Sequence, residues 1–433
     1  MAPGGPRAGM MDRMARRDHL IDAARVLAVA TVVVYHVLFF EVGLDGGRLT
    51  VNRWEPGRPL LVLGWFVMIL PVFFLAAGFG HAASADGRAA TLDGAVPRLV
   101  RRVERLAGPI VLFVTALAAL ATVAAWWPGA PPSLPYPGVE GLGWLDLAAA
   151  VSRDYADFLW FLVAYLAVVA LADVMVRLQE RWGVAVVLGL GAGAALADQL
   201  GGVARDANWA LVWLACHQFG VGLRRGWFTR WPWMTATTAA AGVVVLVTVA
   251  GYPLSPIANY YPPSVAIVLL GLAQASVLAL LRRAGVLRAV GAAWERRLAV
   301  AGAHLVTVYL WQAACIIVAV LALAAAGRAV SGLAAVLLHP VAVLAVTVAV
   351  IVAVVPWIAR VERWLGRGTA PSGRWGVAGV VALLTGTALV WRNGAVLHPE
   401  SIWSSAGVLL VWGSALLLLR TRHRPAEQTS MDR

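Results

Sequence analysis

The sequence predicts an all-α, polytopic integral membrane protein with about ten to twelve transmembrane helices and both termini in the cytoplasm. Hydrophobic residues make up 61% of the 433 residues and charged residues 13%, whereas ordinary soluble domains carry about 25% charged residues. The apolar residues fall in runs of about 18 to 24, the length of a membrane-spanning helix, along the whole chain. Arginines cluster in every second loop between these runs, which is the pattern of cytoplasmic loops.

The apolar runs give the order of the elements. A tail at 1–18 and a second tail at 420–433 are polar and are expected to be disordered. Between them, helices are predicted at about 20–40, 60–80, 107–127, 158–177, 183–200, 209–223, 234–251, 264–281, 303–325, 335–357, 376–391 and 402–419. The segments at 41–59 and 128–143 are predicted to be loops.

Charge and cysteine content exclude several classes of function. The net charge is +13 and the sequence contains no lysine, but the arginines lie in short loops between apolar runs, so we expect no nucleic-acid partner. Cys216 and Cys315 both lie inside apolar runs and predict neither a disulfide framework nor a zinc site. No histidine has metal-ligand spacing to another ligand, so no metal is expected.

The first apolar run carries ionisable residues along one face. Arg25 opens the run and His36 closes it eleven residues later, about 16 Å along a helix axis. Asp22 shares that face. Such groups are costly in lipid and by default indicate a functional site. Arg25 could also be an interfacial anchor and His36 a packing residue, but a neutral imidazole suits a general base for a hydroxyl group.

A second segment combines aromatic residues with glycine. Residues 71–79 combine Phe73, Phe74, Gly78 and Phe79, which is typical of a helix-packing surface, and Pro71 is expected to kink the helix.

A third segment is basic. Arg98, Arg101, Arg102 and Arg105 repeat every three or four residues, as on one helix face. Guanidinium groups bind phosphates through paired hydrogen bonds, although such a cluster can equally contact anionic lipid.

The order of these motifs resembles that of a known family. Along the chain they are Asp22, Arg25 and His36, then Phe73, Phe74, Gly78 and Phe79, then Arg102, Arg105 and Pro109, then Trp160 within Phe158–Leu162, and finally Tyr309 and Gln312 within Thr307–Gln312. Over about residues 18–360 this sequence is similar to the acyltransferase-3 family of bacterial membrane O-acyltransferases. The resemblance implies a membrane acyltransferase-like domain at 19–360, followed by additional transmembrane helices at 361–419.

The resemblance also implies a reaction. An acyl group, expected to be acetyl, would pass from cytoplasmic acyl-CoA to a hydroxyl of a glycan, a glycolipid or another envelope acceptor at the bacterial cytoplasmic membrane. Acyl-CoA would be the donor, and no permanently bound cofactor is expected. His36 would act as general base or through a covalent relay, with Arg25 at the entry of a tunnel. The CoA phosphates would be held by Arg101, Arg102 and Arg105. Substrate contact or helix packing is expected of Asp22, Phe73, Phe74, Gly78, Phe79, Trp160, Tyr309 and Gln312.

Two residues depart from the family pattern and leave alternatives open. Ala77 stands where family members often have serine, and Gln312 where they commonly have histidine. Glutamine forms hydrogen bonds but takes no proton at neutral pH. A catalytically inactive relative is therefore one alternative, and a polytopic transporter or flippase is another. The acceptor, the acyl-chain length and the oligomeric state are not encoded in any of these patterns.

Overall fold

The computed structural model describes residues 18–86, 94–129, 143–288, 290–330, 332–366 and 374–419. The predicted tail at 420–433, all of the predicted tail at 1–18 except Asp18, and most of the predicted loop at 128–143 lie outside these ranges. Asp18 was assigned to the tail but caps the first helix. Within the described residues the protein is helical apart from one two-stranded hairpin, so the predicted all-α class is confirmed. The helices are α1 His19–Leu38, α2 Arg58–Val67, α3 Leu70–Ala85, α4 Ala95–Ala125, α5 Trp144–Ala156, α6 Leu159–Trp182, α7 Val184–Leu200, α8 Gly202–Arg205, α9 Asn208–Arg224, α10 Pro232–Thr248, α11 Val265–Arg283, α12 Ala292–Ala329, α13 Ala334–Leu337, α14 Pro340–Leu365, α15 Arg374–Asn393 and α16 Ile402–Leu418.

Eight helical spans in the described part of the chain are long and apolar enough to cross a membrane. They are α1, the pair α2 and α3 taken together, α4, α6, α11, α12, α14 and α15. Three shorter apolar helices, α7, α10 and α16, accompany them. The length and composition of these helices are those of a polytopic membrane protein.

The chain forms two compact units, and each is made of two separate stretches. The first unit contains the described residues up to 86 and those from 171 to 350. Its centre is α9, which is buried from Val212 to Leu223 and packs against α3, α7 and α11. On another side of this unit α1 packs against α12. The second unit contains the described residues between 94 and 170 and those from 351 to 419, in which α15 and α16 pair and pack against α4.

A β-hairpin replaces the loop that was predicted after the first helix. Strands β1 Phe40–Asp45 and β2 Arg48–Arg53 pair antiparallel, with Gly46 and Gly47 at the turn. Both glycines have positive φ, 54° and 78°, as a two-residue hairpin turn of this twist requires. Arg328 at the end of α12 donates a hydrogen bond from Nε to the backbone oxygen of Gly47 at 2.8 Å. The hairpin therefore lies at the end of α1 that carries His36.

The helix predicted at 60–80 is broken into α2 and α3. The break falls at Met68 and Ile69, because Pro71 lies in the first turn of α3, where it needs no hydrogen-bonded N–H. The side-chain amide of Gln274 on α11 donates to the backbone oxygen of Met68 at 2.7 Å. That bond satisfies a carbonyl group that the break would otherwise leave without a partner in an apolar setting.

A carboxylate in the first unit fixes the start of α11. Asp198, with 5% of its side chain exposed, accepts hydrogen bonds from the backbone N–H of Val265 at 2.8 Å, from Asn208 at 3.0 Å and from the hydroxyl of Tyr252 at 3.1 Å. Burial, together with the negative charge of Asp198, raises the pKa of the Tyr252 hydroxyl to about 12. Tyr252 therefore remains a hydrogen-bond donor throughout the physiological pH range.

Candidate active site and a second buried polar cluster

The polar face of α1 is held by a defined N-terminus. Asp18 caps the helix, accepting a hydrogen bond from the backbone N–H of Ile21 at 3.2 Å. Asp22 lies in the first turn, where a negative charge is favourable, and Arg25 follows one turn later. Both side chains are half-buried, as is His36 in the last turn. The three residues therefore lie along one helix, partly covered by the first unit.

The ring of His36 has a defined tautomer. Its Nδ1 lies 2.7 Å from the backbone oxygen of Val32, one turn earlier. A carbonyl oxygen only accepts, so Nδ1 carries the proton in the neutral ring and Nε2 carries the lone pair. Tyr35 packs its ring edge-on to the imidazole at a centroid distance of 5.8 Å. A neutral histidine held in this way presents Nε2 as a base.

The end of α1 that carries His36 is anchored by an apolar cluster. Val37 packs with Val320, Leu323 and Ala324 of α12, and residues of the hairpin pack against the same cluster. This packing fixes the helix turn on which His36 stands.

Tyr309 and Gln312 lie on α12, the helix that packs against α1. Both are buried, with 5% and 1% exposed. The Gln312 amide donates to the backbone oxygen of Tyr309 at 3.1 Å. Its own side-chain oxygen is buried and has no hydrogen-bond partner in the described parts of the chain. Position 312 therefore holds a buried amide with an oxygen that can accept a hydrogen bond.

The aromatic and glycine residues of α3 pack against α9. The ring of Phe74 is stacked on Trp213 with centroids 4.5 Å apart. A Cβ built on Gly78 would overlap the backbone oxygen of His217, and a Cβ built on Gly220 would overlap that of Leu75. The two helices thus touch backbone to backbone at a crossing that only glycine permits on either side. Phe73 is half-buried on the same helix.

The remaining predicted residues belong to the second unit. Arg101, Arg102 and Arg105 lie in the first three turns of α4; Arg102 is half-buried and the other two are exposed. Trp160, 7% exposed, lies in the first turn of α6. The structure therefore places Asp22, Arg25, His36, Phe73, Phe74, Gly78, Phe79, Tyr309 and Gln312 in the first unit and these four residues in the second.

One polar cluster in the first unit escaped the sequence analysis. His81 on α3 and His217 on α9 are in contact, with Nδ1 of His81 3.0 Å from Nε2 of His217. Nδ1 of His217 lies 2.8 Å from Oε1 of Gln218. In sequence His81 looks like an ordinary residue after a Gly-Phe pair. The sequence did contain one signal for this contact. His81 follows Gly78 by three residues and His217 precedes Gly220 by three residues, so each histidine lies one helical turn from a glycine.

Ion pairs surround the end of α3 that follows His81. Asp86 accepts hydrogen bonds from Arg224 at 2.8 Å and from Arg225 at 2.6 Å, and Arg225 also pairs with Glu180 at 2.6 Å. Burial acts to raise the pKa of the Asp86 carboxyl, but the hydrogen bonds and charges of the two arginines outweigh it and hold that pKa below its usual value.

Phe79 connects the end of α11, which carries Arg282, to this group. The guanidinium carbons of Arg224 and Arg282 lie 5.6 Å and 5.1 Å from the centre of the Phe79 ring. Arg282 also pairs with Asp18 at 3.1 Å. The start of α1 and the ends of α3, α9 and α11 therefore meet at one end of the first unit.

A helical protein that carries Asp22, Arg25 and an oriented His36 on one apolar helix has the features of a membrane-embedded enzyme, because ionisable groups are costly in lipid. A comparison with protein families identifies the class of enzyme. The model of the acyltransferase domain of the acyltransferase-3 family matches residues 18–360. The chain belongs to this family, and membership implies that it transfers acyl groups. No curated protein and no solved structure matches the chain significantly.

Proposed function

We propose that the protein is a membrane O-acyltransferase that moves an acyl group, acetyl in the simplest case, from acyl-CoA to a hydroxyl of a glycan, glycolipid or other envelope acceptor. The family match supports acyl transfer as the reaction class. The observation that carries the assignment of the base is the place of His36, half-buried on the same apolar helix as Asp22 and Arg25. The bond from its Nδ1 to the Val32 carbonyl adds that Nε2 is the atom suited to accept a proton. The bacterial cytoplasmic membrane is the proposed location.

In the proposed reaction Nε2 of His36 takes the proton of the acceptor hydroxyl. The hydroxyl oxygen then attacks the thioester carbonyl, a C–O bond forms, the C–S bond breaks and the sulfur leaves as the thiol after gaining a proton. Passage of the acyl group through a covalent relay is the alternative route to the same products. Nε2 is the nitrogen that is suited to either role.

Arginines would bind the anionic part of the donor. Arg25 is half-buried two turns into α1. On α4, Arg102 is half-buried and Arg101 and Arg105 are exposed. Guanidinium groups bind phosphates through paired, charge-assisted hydrogen bonds. We assign the CoA phosphates to Arg101, Arg102 and Arg105, and the entry of the donor to Arg25.

The test uses the full-length protein in lipid nanodiscs with radiolabelled acetyl-CoA and measures thioester consumption. His36→Gln should lower turnover by about 10² to 10⁴-fold, the usual contribution of a general base. His304→Gln is a matched control, because His304 makes the same bond from Nδ1 to a carbonyl four residues earlier, also at 2.7 Å, and should retain turnover. Equal turnover in the wild type and in His36→Gln would refute the assignment of His36.

The break between α2 and α3 favours a transporter or flippase as the second candidate function, because broken helices line the substrate sites of transporters. Movement of labelled lipid-linked glycan across vesicle membranes, without consumption of any acyl-CoA, is the result that would favour it.

A further inference from the structure

The tautomers of the His81 cluster follow from one backbone bond. The side-chain Nε2 of Gln218 donates to the backbone oxygen of Met175 at 2.8 Å, so its Oε1 faces Nδ1 of His217. An amide oxygen only accepts, and Nδ1 of His217 must therefore carry a proton. In the neutral ring the lone pair is then on Nε2, which can only accept from Nδ1 of His81 at 3.0 Å. The lone pair of neutral His81 is in turn on its Nε2.

Burial determines which atom of the pair can exchange a proton. His217 and Gln218 are both 0% exposed, whereas His81 is half-buried. Of the two rings only His81 is partly exposed, so a proton from the surroundings enters the pair at His81, whose lone pair is on Nε2. The positive charge can then be shared, because the proton on Nδ1 of His81 can move to Nε2 of His217 without either ring moving.

A second added proton is excluded by geometry. Two imidazolium rings would place two N–H donors against each other at 3.0 Å, with no acceptor between them. Two like charges at that distance strongly disfavour double ionisation. We propose that His81, His217 and Gln218 form a second acid–base site, which binds one proton per histidine pair and exchanges it through Nε2 of His81.

The helix crossing fixes the distance on which this site depends. His81 stands three residues after Gly78 and His217 three residues before Gly220, so both rings lie about one helical turn from the contact between the two backbones. Residues three apart share a helix face. The close packing of the two backbones at the crossing therefore also keeps the two imidazole rings in contact.

The site is separate from His36. His81 lies five residues, about 7 Å along the axis, before the Asp86 ion pairs. Asp18 belongs to the same end of the unit through Arg282, and His36 follows Asp18 by eighteen residues, about 27 Å along α1. His36 and the histidine pair therefore lie toward different ends of the first unit. The elements around His81 also carry charged groups. They are Asp86 after its own helix, Asp18, Asp22 and Arg25 of α1 and its cap, Asp173, Arg177, Glu180 and Arg181 of α6, Arg224 and Arg225 of α9 and its end, and Arg282 and Arg283 of α11.

The experiment observes the protons directly. Full-length protein labelled with ¹⁵N-histidine in nanodiscs is titrated by NMR between about pH 8 and pH 5, and the signals are assigned with His81→Gln, His217→Gln and His304→Gln. We expect a nitrogen–nitrogen coupling across the hydrogen bond between the two rings and the uptake of one proton by the pair as a unit. The His217→Gln variant should shift the titration midpoint of His81, and the His304→Gln variant should leave it unchanged.

Two results would contradict the proposed acid–base site. Two rings that each take up a proton independently, or the absence of any coupling between them, would overturn the site. If His217→Gln does not fold, the coupling and the proton count in the wild type still decide. The measurement needs no acyl substrate, so a failure of the proposed acyl transfer would be distinguishable from a failure of this site.

Discussion

At the scale of single residues, the chain contains histidines of two kinds. His36 and His304 each bond Nδ1 to a carbonyl four residues earlier in the same helix, an arrangement that any helical histidine can adopt. His81 and His217 need two helices and a glutamine to define their protons. Of the first kind, the sequence singled out His36, because its spacing from Arg25 along one helix is local. The second kind was missed because its partners lie 136 residues apart along the chain.

Asp86 gives a prediction at the same scale. The arginines hold the pKa of its carboxyl below the usual value, so its ion pairs stabilise the folded protein at pH values above the ordinary carboxyl pKa. That contribution is lost as the pH falls through the lowered pKa. Asp86→Asn should therefore reduce the melting temperature in detergent at pH 7, and the difference from the wild type should shrink as the pH approaches 3. A difference that stays constant over this range would show that the charge of Asp86 makes no contribution.

At the scale of helices, the contact between α3 and α9 requires glycine at two positions, Gly78 and Gly220. An added methyl group on Gly78 or Gly220 meets backbone atoms, which cannot rotate away. We expect Gly78→Ala and Gly220→Ala each to destabilise the protein by about 1–3 kcal/mol or more, as overpacking does. Thermal unfolding in detergent, with monodispersity on size exclusion, would measure the loss.

Gly80→Ala is the matched control on the same helix. A Cβ at Gly80 meets nothing within 4 Å, so alanine there should be neutral or stabilising by up to about 1 kcal/mol, the helix-propensity difference. Equal destabilisation by Gly78→Ala and Gly80→Ala would show that the backbone crossing is not the cause.

The helices themselves were largely predictable, and the exceptions have physical causes. Runs of apolar residues place α1, α7, α9, α10, α11, α15 and α16 within three residues of their observed bounds, and α6 within five. The helix predicted at 107–127 instead begins at Ala95, since Val100, Val103 and Leu106 continue its buried face between the arginines. The mean hydropathy of a window that includes the arginines is too low to predict a membrane-spanning helix. An amphipathic helix, however, needs apolar residues on only one of its faces.

The hairpin and helix α5 were missed because the hairpin is short and α5 is apolar on only one face. The hairpin has alternating residues and a Gly46-Gly47 turn, but it is brief and directly follows an apolar run. Helix α5 is amphipathic, with Leu147, Ala148, Ser152 and Ala156 buried, and it has no long apolar run. Of the candidate site, the positions of Asp22, Arg25 and His36 on one helix were predictable from spacing. The burial of Gln312 and the histidine pair depend on tertiary packing, which the local pattern does not contain.

At the scale of the whole molecule, the distribution of arginine predicts orientation. The hairpin after α1 and the segment between α9 and α10 lie at opposite ends of the first unit, since the first follows the end of α1 that carries His36 and the second follows the Arg224 and Arg225 ion pairs. With the arginine-rich end in the cytoplasm, the hairpin is outside and Arg230 is inside.

Cysteine labelling can test this orientation, because both native cysteines are buried in the structure and should react slowly. In intact cells or sealed right-side-out vesicles, a membrane-impermeant maleimide should label Arg48→Cys in the hairpin and spare Arg230→Cys. After permeabilisation both should react, because both positions are exposed. The opposite pattern would place the ion-pair end of the first unit outside. In that case acyl-CoA from the cytoplasm would reach the His36 end of α1 first, and the proposed entry of the donor past Arg25 would have to be abandoned.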